Sequence, residues 1–151
     1  MKDFSDFAND LGQRESSNDY QCVNDWGFMG RYQFGKPRLW DLGISIDGWH
    51  PEDKSPVQCG KIIMSVGSFL KDTTLQDKIF RLHVTKHLKY IRKKYKRHIP
   101  KYTESGLVAG VHLKGFGGLN DFLNGDDNID GLGTKISEYI SKFAGYDLSD
   151  L

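Results

Sequence analysis

The chain has 151 residues, 21 Lys and Arg against 20 Asp and Glu, and 38% hydrophobic residues; this is one ordinary globular unit with enough apolar side chains to bury a core. A net charge of +1 argues against a generic nucleic-acid binder, and a mean hydropathy of −0.55 without a long apolar run argues against a membrane span. The near-neutral total hides a split: residues 71–101 hold eleven Lys and Arg but only two acids, so the rest of the chain is net acidic and the surface is polarised.

In chain order, Phe4, Phe7, Ala8 and Leu11 recur at i, i+3 and i+4, which predicts a helix whose apolar stripe continues to Glu15 at its last turn. The N-terminal stretch mixes acids with apolar residues and shows no signal-peptide core. From Ser16 to Trp49 the composition turns to Gly, Asn, Asp and aromatics, predicting a loop or short hairpin and then a brief helix around Arg38–Leu42. Residues 56–70 read as a helix or an irregular segment, and strand content is expected to be small.

The clearest helix runs from Thr74 to Arg97, with Phe80, Val84, Leu88, Ile91 and Tyr95 as its stripe and Lys86, Lys89, Lys93 and Arg97 almost opposite. Pro100 is expected to stop it. A helix over Glu104–Leu113, a Gly-rich turn at Lys114–Gly118, a short helix over Leu119–Leu123, an acidic Gly/Asp/Asn loop and a last helix over Thr134–Phe143 complete a mainly α chain. With no linker composition and no repeat, residues 1–151 read as one domain.

Among candidate chemistry, Glu15 stands first, because a carboxyl group at the end of an apolar stripe has the setting in which burial raises a pKa towards that of a general acid. Asp19, Asp25 and Asp41 are possible second carboxylates, and the first two read rather as turn formers. His83 and His87 lie one helical turn apart but lack the third ligand of a metal site, and they read as helix-surface or boundary residues. The segment from Gly125 to Gly131 has the flavour of a calcium loop without its closing glutamate. Cys22 and Cys59 are too few for a metal motif and leave one optional disulfide. No metal or organic cofactor is expected.

Glu15-Ser16-Ser17 followed by Gly27-Phe28-Met29-Gly30-Arg31-Tyr32-Gln33-Phe34 resembles the Glu-Ser and Gly-x-x-Gly-x-x-Gln pattern of the lysozyme-like soluble lytic transglycosylases. Gly110–Gly118 (GVHLKGFGG) looks like that family's Ala-Tyr-Asn-Ala-Gly-Pro-Gly turn, and Tyr139 looks like the tyrosine of its last helix. The anchors span residues 15–139, with a divergent middle. The resemblance implies a mainly α, lysozyme-like domain with a small hairpin or loop-rich lobe beside a cleft. It also implies cleavage of the β-1,4 bond between N-acetylmuramic acid and N-acetylglucosamine in peptidoglycan.

On this reading Glu15 is the acid, later the base, and Ser16, Tyr32, Gln33, His112, Lys114, Phe116 and Tyr139 contact or neighbour the glycan. Trp26, Trp40 and Trp49 supply further aromatic faces, although core packing is the better account of any one of them. His112-Leu113 stands where the family has Tyr-Asn, so an amide that touches substrate there is absent. Hydrolysis by a muramidase of the same fold is the alternative outcome, and a glycan-binding module without turnover is another. A nucleic-acid binder built on helix 74–97 is the rival class. The expected partners are peptidoglycan strands and, through the basic helix, anionic envelope polymers, with no nucleic acid, for a monomer acting at the cell wall or periplasm and borne by a phage or a secretion system.

Overall fold

The computed structural model describes residues 1–127 and 133–151; the acidic loop noted above lies partly outside them. The fold is mainly helical with one small sheet, as the helical stripes predict. It divides into two compact units, one formed by Met1–Leu11 with Val84–Leu151 and one by Gly12–His83. No linker composition marks the division, because the chain passes from one unit to the other inside continuous helices. Among the described residues no helix is long and apolar enough to cross a membrane.

In the unit of residues 12–83, the end of α1 (Phe4–Ser16) leads into a loop, then α2 (Lys36–Asp41), β1 (Ile44–Ile46), β2 (Ile62–Met64), α3 (Val66–Lys71) and the start of α4 (Thr73–Lys94). The expected hairpin is present in miniature: Met29 and Phe34 exchange backbone bonds of 2.9 Å in both directions. The strands β1 and β2 pair in parallel with Ile44 opposite Ile62, so part of the segment read as helix or irregular is a strand. β1 is buried throughout, which suits the apolar run Ile-Ser-Ile only because Ser45 donates its hydroxyl to the Trp49 carbonyl at 2.7 Å.

The core of this unit is aromatic. Tyr32 stacks on Phe80 with centroids 3.9 Å apart, and Phe34 packs beside both. Cys22 and Cys59 are free thiols.

The other unit holds the start of α1, the rest of α4, a 3-10 turn (Lys96–His98), α5 (Ile99–Tyr102), α6 (Glu104–Leu123) and α7 (Ile136–Lys142). Here the structure corrects the expectation for Pro100. The helix α4 ends at Lys94, and Pro100 lies in the first turn of α5, where the missing N–H costs nothing.

The Gly-rich turn is present in shorter form: the helical run α6 is two helices that meet at a kink, and the non-helical backbone is confined to Gly115, whose φ of 69° needs a residue without Cβ. Thr103 caps α6 at a φ of 65°, an uncommon conformation for a β-branched residue. Its hydroxyl accepts the amides of Gly106 and Gly145 at 3.2 and 3.0 Å.

α6 packs on α7 through glycine. A Cβ on Gly106 would lie 2.8 Å from the Ile140 carbonyl oxygen, whereas one on Gly117 would meet nothing. Gly106→Ala is therefore expected to cost about 1–2 kcal/mol, overpacking against backbone outweighing the gain in helix propensity. Gly117→Ala gains up to about 1 kcal/mol from propensity alone, and thermal melts of the pair read the contrast. Near the N-terminus Tyr146 donates to Asp10 at 2.6 Å, which holds the Asp10 carboxyl below its ordinary pKa.

Candidate functional site

The last turn of α1 places Glu15 half-buried and Ser16 beside it. Helical bonding ends there because Ser17 and Asn18 both take left-handed φ values, 56° and 58°, and the Asn18 amide closes back on the Gly12 carbonyl at 3.0 Å. The Ser16 hydroxyl then donates to the carbonyl of Arg31 at 2.7 Å and accepts the amide of Asp19 at 3.1 Å. A single side chain thus ties the Glu-Ser pair to the Gly-x-x-Gly-x-x-Gln segment fifteen residues on. Asp19 is a turn former, its carboxylate accepting the Gln21 amide at 2.9 Å, and Asp41 pairs with Arg38 at 3.6 Å.

That segment is held from inside by α4. Gly30 has a φ of +79°, and a Cβ there would sit 2.3 Å from the Gln76 amide oxygen, so both conformation and space require glycine. Gln76 is buried. Its oxygen accepts the Arg31 amide at 2.9 Å, while its nitrogen donates to the carbonyls of Tyr20 and Phe69, each at 3.0 Å. Gln33 takes a φ of 57° and spends its side-chain nitrogen on the loop, donating to the carbonyls of Gly30 at 2.9 Å and Cys22 at 3.3 Å.

Beside it lies a polar cluster. Asp77 accepts the hydroxyls of Tyr20 and Tyr32, each at 2.7 Å, and pairs with the Arg31 guanidinium at 2.9 Å. Arg31 also donates to Asn18 at 2.8 Å and to the Tyr32 hydroxyl at 2.8 Å, and it lies over the rings of Tyr20 and Tyr32.

Burial, then the hydrogen bond to Asp77, pushes the pKa values of Tyr32 and Tyr20 upward. Burial works against the Arg31 charge, but the oxygens of Tyr32, Asp77 and Tyr20 around it outweigh that and raise its pKa. The cluster is therefore a cation ringed by one carboxylate and two phenols, built to fix the loop in place.

The expected glycan contacts fare unevenly. Tyr32 is only 1% exposed with its hydroxyl given to Asp77, so it positions the loop from below and offers no face to a sugar. Of the tryptophans, Trp40 is buried against Trp49 with Lys61 over its ring. Trp26, 66% exposed, presents its ring to solvent, on a turn in which Asn24 accepts the amides of Trp26 and Phe28 at 2.9 and 3.0 Å.

His112, Lys114, Phe116 and Tyr139 belong to the other unit. The first three are half-buried around the Gly115 break, and Tyr139 is buried with its ring edge-on to Phe143.

His83 and His87 are corrected from surface to interior, at 2% and 7% exposed. His83 accepts from Arg38 Nε at 2.9 Å on Nδ1, and His87 sits edge-on to Phe116. No group of three or more His, Cys, Asp or Glu among the described residues could hold a metal.

Asp77, Tyr20, Asn18 and Gln76 are the residues that sequence reasoning missed. Gln76 did leave a signal, since it lies four residues before Phe80 on the apolar stripe of α4, where a polar side chain needs partners.

No protein-family model, no curated protein and no solved structure matches this chain.

Proposed function

We propose that the chain cleaves the β-1,4 bond between N-acetylmuramic acid and N-acetylglucosamine of peptidoglycan as a lytic transglycosylase, within a lysozyme-like arrangement of its helices. The observation that carries this reading is the Ser16–Arg31 bond at 2.7 Å. The Glu-Ser pair and the Gly-x-x-Gly-x-x-Gln segment, which carry the resemblance, are distant in sequence and joined in space. Glu15, half-buried at the end of its helix, stands next to Ser16, whose partner Arg31 is held by Gln76 through its amide and by Asp77 through its guanidinium.

In the proposed step Glu15 gives its proton to the glycosidic oxygen as the C–O bond breaks. The resulting carboxylate then takes the proton of the sugar hydroxyl that closes the anhydro ring. No second carboxylate is needed, in line with the turn role of Asp19 and the Arg38 pairing of Asp41.

Such an enzyme acts at the cell wall. Mass spectrometry of fragments released from purified glycan strands tests the reading: anhydro-ended fragments are expected. Reducing ends would make the chain a muramidase, and intact strands would leave a binding module.

A further inference from the structure

The unit of Val84–Leu151 carries a face that the proposed cleavage does not use. From residue 78 to residue 103 the chain has ten Lys and Arg and no acid. Of those in this unit, Arg92 is committed, its guanidinium clamped by Glu104 at 2.6 and 3.0 Å and donating to the carbonyls of Leu148 and Leu151. Lys89, Lys93, Lys94, Lys96, Arg97 and Lys101 are exposed, and among the described residues none lies within ion-pair distance of a carboxylate.

On α4 itself Lys86, Lys89, Tyr90, Lys93 and Lys94 fall within an arc of about 140° at 100° per residue. Lys89 and Lys93 stand at i, i+4, and Lys86 and Lys89 at i, i+3, so the helix bears like-charge repulsion along its length. The favourable field at a helix C-terminus accounts for Lys93 and Lys94 in the last turn. It does not reach Lys89.

Aromatic rings line the same region. Tyr90, 45% exposed, packs edge-on to Phe116 at 4.7 Å, Tyr95 stacks on Phe116 at 5.9 Å, and His98 and Tyr102 continue the row.

We infer that this face binds a linear phosphate-bearing polymer of the bacterial wall, a chain of phosphate-linked polyols or sugars. Charges spread along a helix suit an extended polyanion rather than a small anion. The composition also matters: lysines outnumber the one arginine among these exposed cations. Lysine is a hydrated point charge without the planar fork that reads a base edge or a single phosphate, which favours a repeating charge over nucleic-acid readout. The exposed Tyr90 ring adds a flat apolar surface for the polyol or sugar between phosphates. The choice of a wall polymer among polyanions rests on the proposed function, and its role is to hold the enzyme on the wall between cleavage events.

The test uses the full chain as Glu15→Gln, so that cleavage does not disturb binding, and a second protein with Lys89→Gln, Lys93→Gln and Arg97→Gln added. Co-sedimentation is measured with walls that carry their phosphate polymers, with walls stripped of them, and with poly(glycerol phosphate) as competitor.

The parent is expected to bind the phosphate-bearing walls, to lose at least about tenfold in affinity on stripped walls, and to be displaced by the soluble polymer. Removing three charges is expected to cost at least about tenfold on phosphate-bearing walls only, with a shallower salt dependence. Equal binding of both proteins, or equal binding to both walls, overturns the inference. Duplex DNA bound more tightly than poly(glycerol phosphate) overturns it in favour of a nucleic-acid face.

Cleavage of stripped glycan by the chain with Glu15 intact is read separately. Its absence defeats the proposed function while leaving the polymer measurement interpretable.

Discussion

Glu15→Gln is expected to abolish release of glycan fragments, lowering the rate by about 10²–10⁴-fold, the usual contribution of a positioned acid and base. The amide matches the carboxyl group in size and still accepts hydrogen bonds, but it cannot deliver a proton to the glycosidic oxygen or take one back. Glu15 is half-buried at the end of α1, outside the aromatic core, so the melting temperature should stay within a few degrees of the parent. Binding to intact glycan strands should survive as well. That pattern, turnover lost with fold and binding kept, separates a catalytic carboxylate from a structural one. Turnover persisting in Glu15→Gln would sink the assignment outright and move attention to Asp25, exposed in the loop that follows.

The largest effect on stability is expected from Asp77→Ala. The substitution leaves the Arg31 guanidinium without its carboxylate and the hydroxyls of Tyr20 and Tyr32 without their acceptor. Breaking a fully buried pair costs about 3–5 kcal/mol. Asp77 is 44% exposed, although Arg31 is only 15% exposed, so water repays part of the loss and about 2–4 kcal/mol is expected. For a chain of this size that is a fall of roughly 4–16 °C in melting temperature.

Asp77→Asn should recover about half, since its amide oxygen can still accept from Tyr32 or Arg31. A thermal melt of Asp77→Ala within a degree or two of the parent would show that the cluster is solvated ornament. A cleavage rate that falls at temperatures well below the melt would instead show that the cluster holds the Gly30 loop for catalysis.

The helices were legible because burial on one side of a helix imprints its period on the sequence. The stripes of α1 and α4 could be read directly, and with the first came Glu15 at the helix end. What could not be read is what a side chain touches across the fold. Tyr32 and a sugar-stacking tyrosine look alike in a sequence, and only the Phe80 ring 3.9 Å away and the Asp77 carboxylate decide that this one faces inward.

His83 and His87 read as boundary residues because the stripe was drawn too narrow; the buried side of α4 is wide enough to include both. The β1–β2 pair was missed for a different reason. Its partners are separated by 15 intervening residues in parallel register, from Ile46 to Ile62, and three-residue strands carry too short an alternation to stand out. The Ser16 link, by contrast, was implied by the family resemblance only as a pair of motifs, and the hydrogen bond that joins them is a tertiary fact.

Gln76 and Asp77 are adjacent on α4 and hold the same loop by opposite means. The Gln76 amide distinguishes donors from acceptors, accepting the Arg31 amide while donating to the Tyr20 and Phe69 carbonyls. It does so without a charge, so its grip is indifferent to ionic strength and to acid. Asp77 grips through charge and weakens as salt screens it. One residue's step along the helix thus separates a latch that salt loosens from one that it does not. High salt is therefore expected to loosen the Arg31 guanidinium from Asp77 before the Arg31 main chain, whose amide the uncharged Gln76 holds.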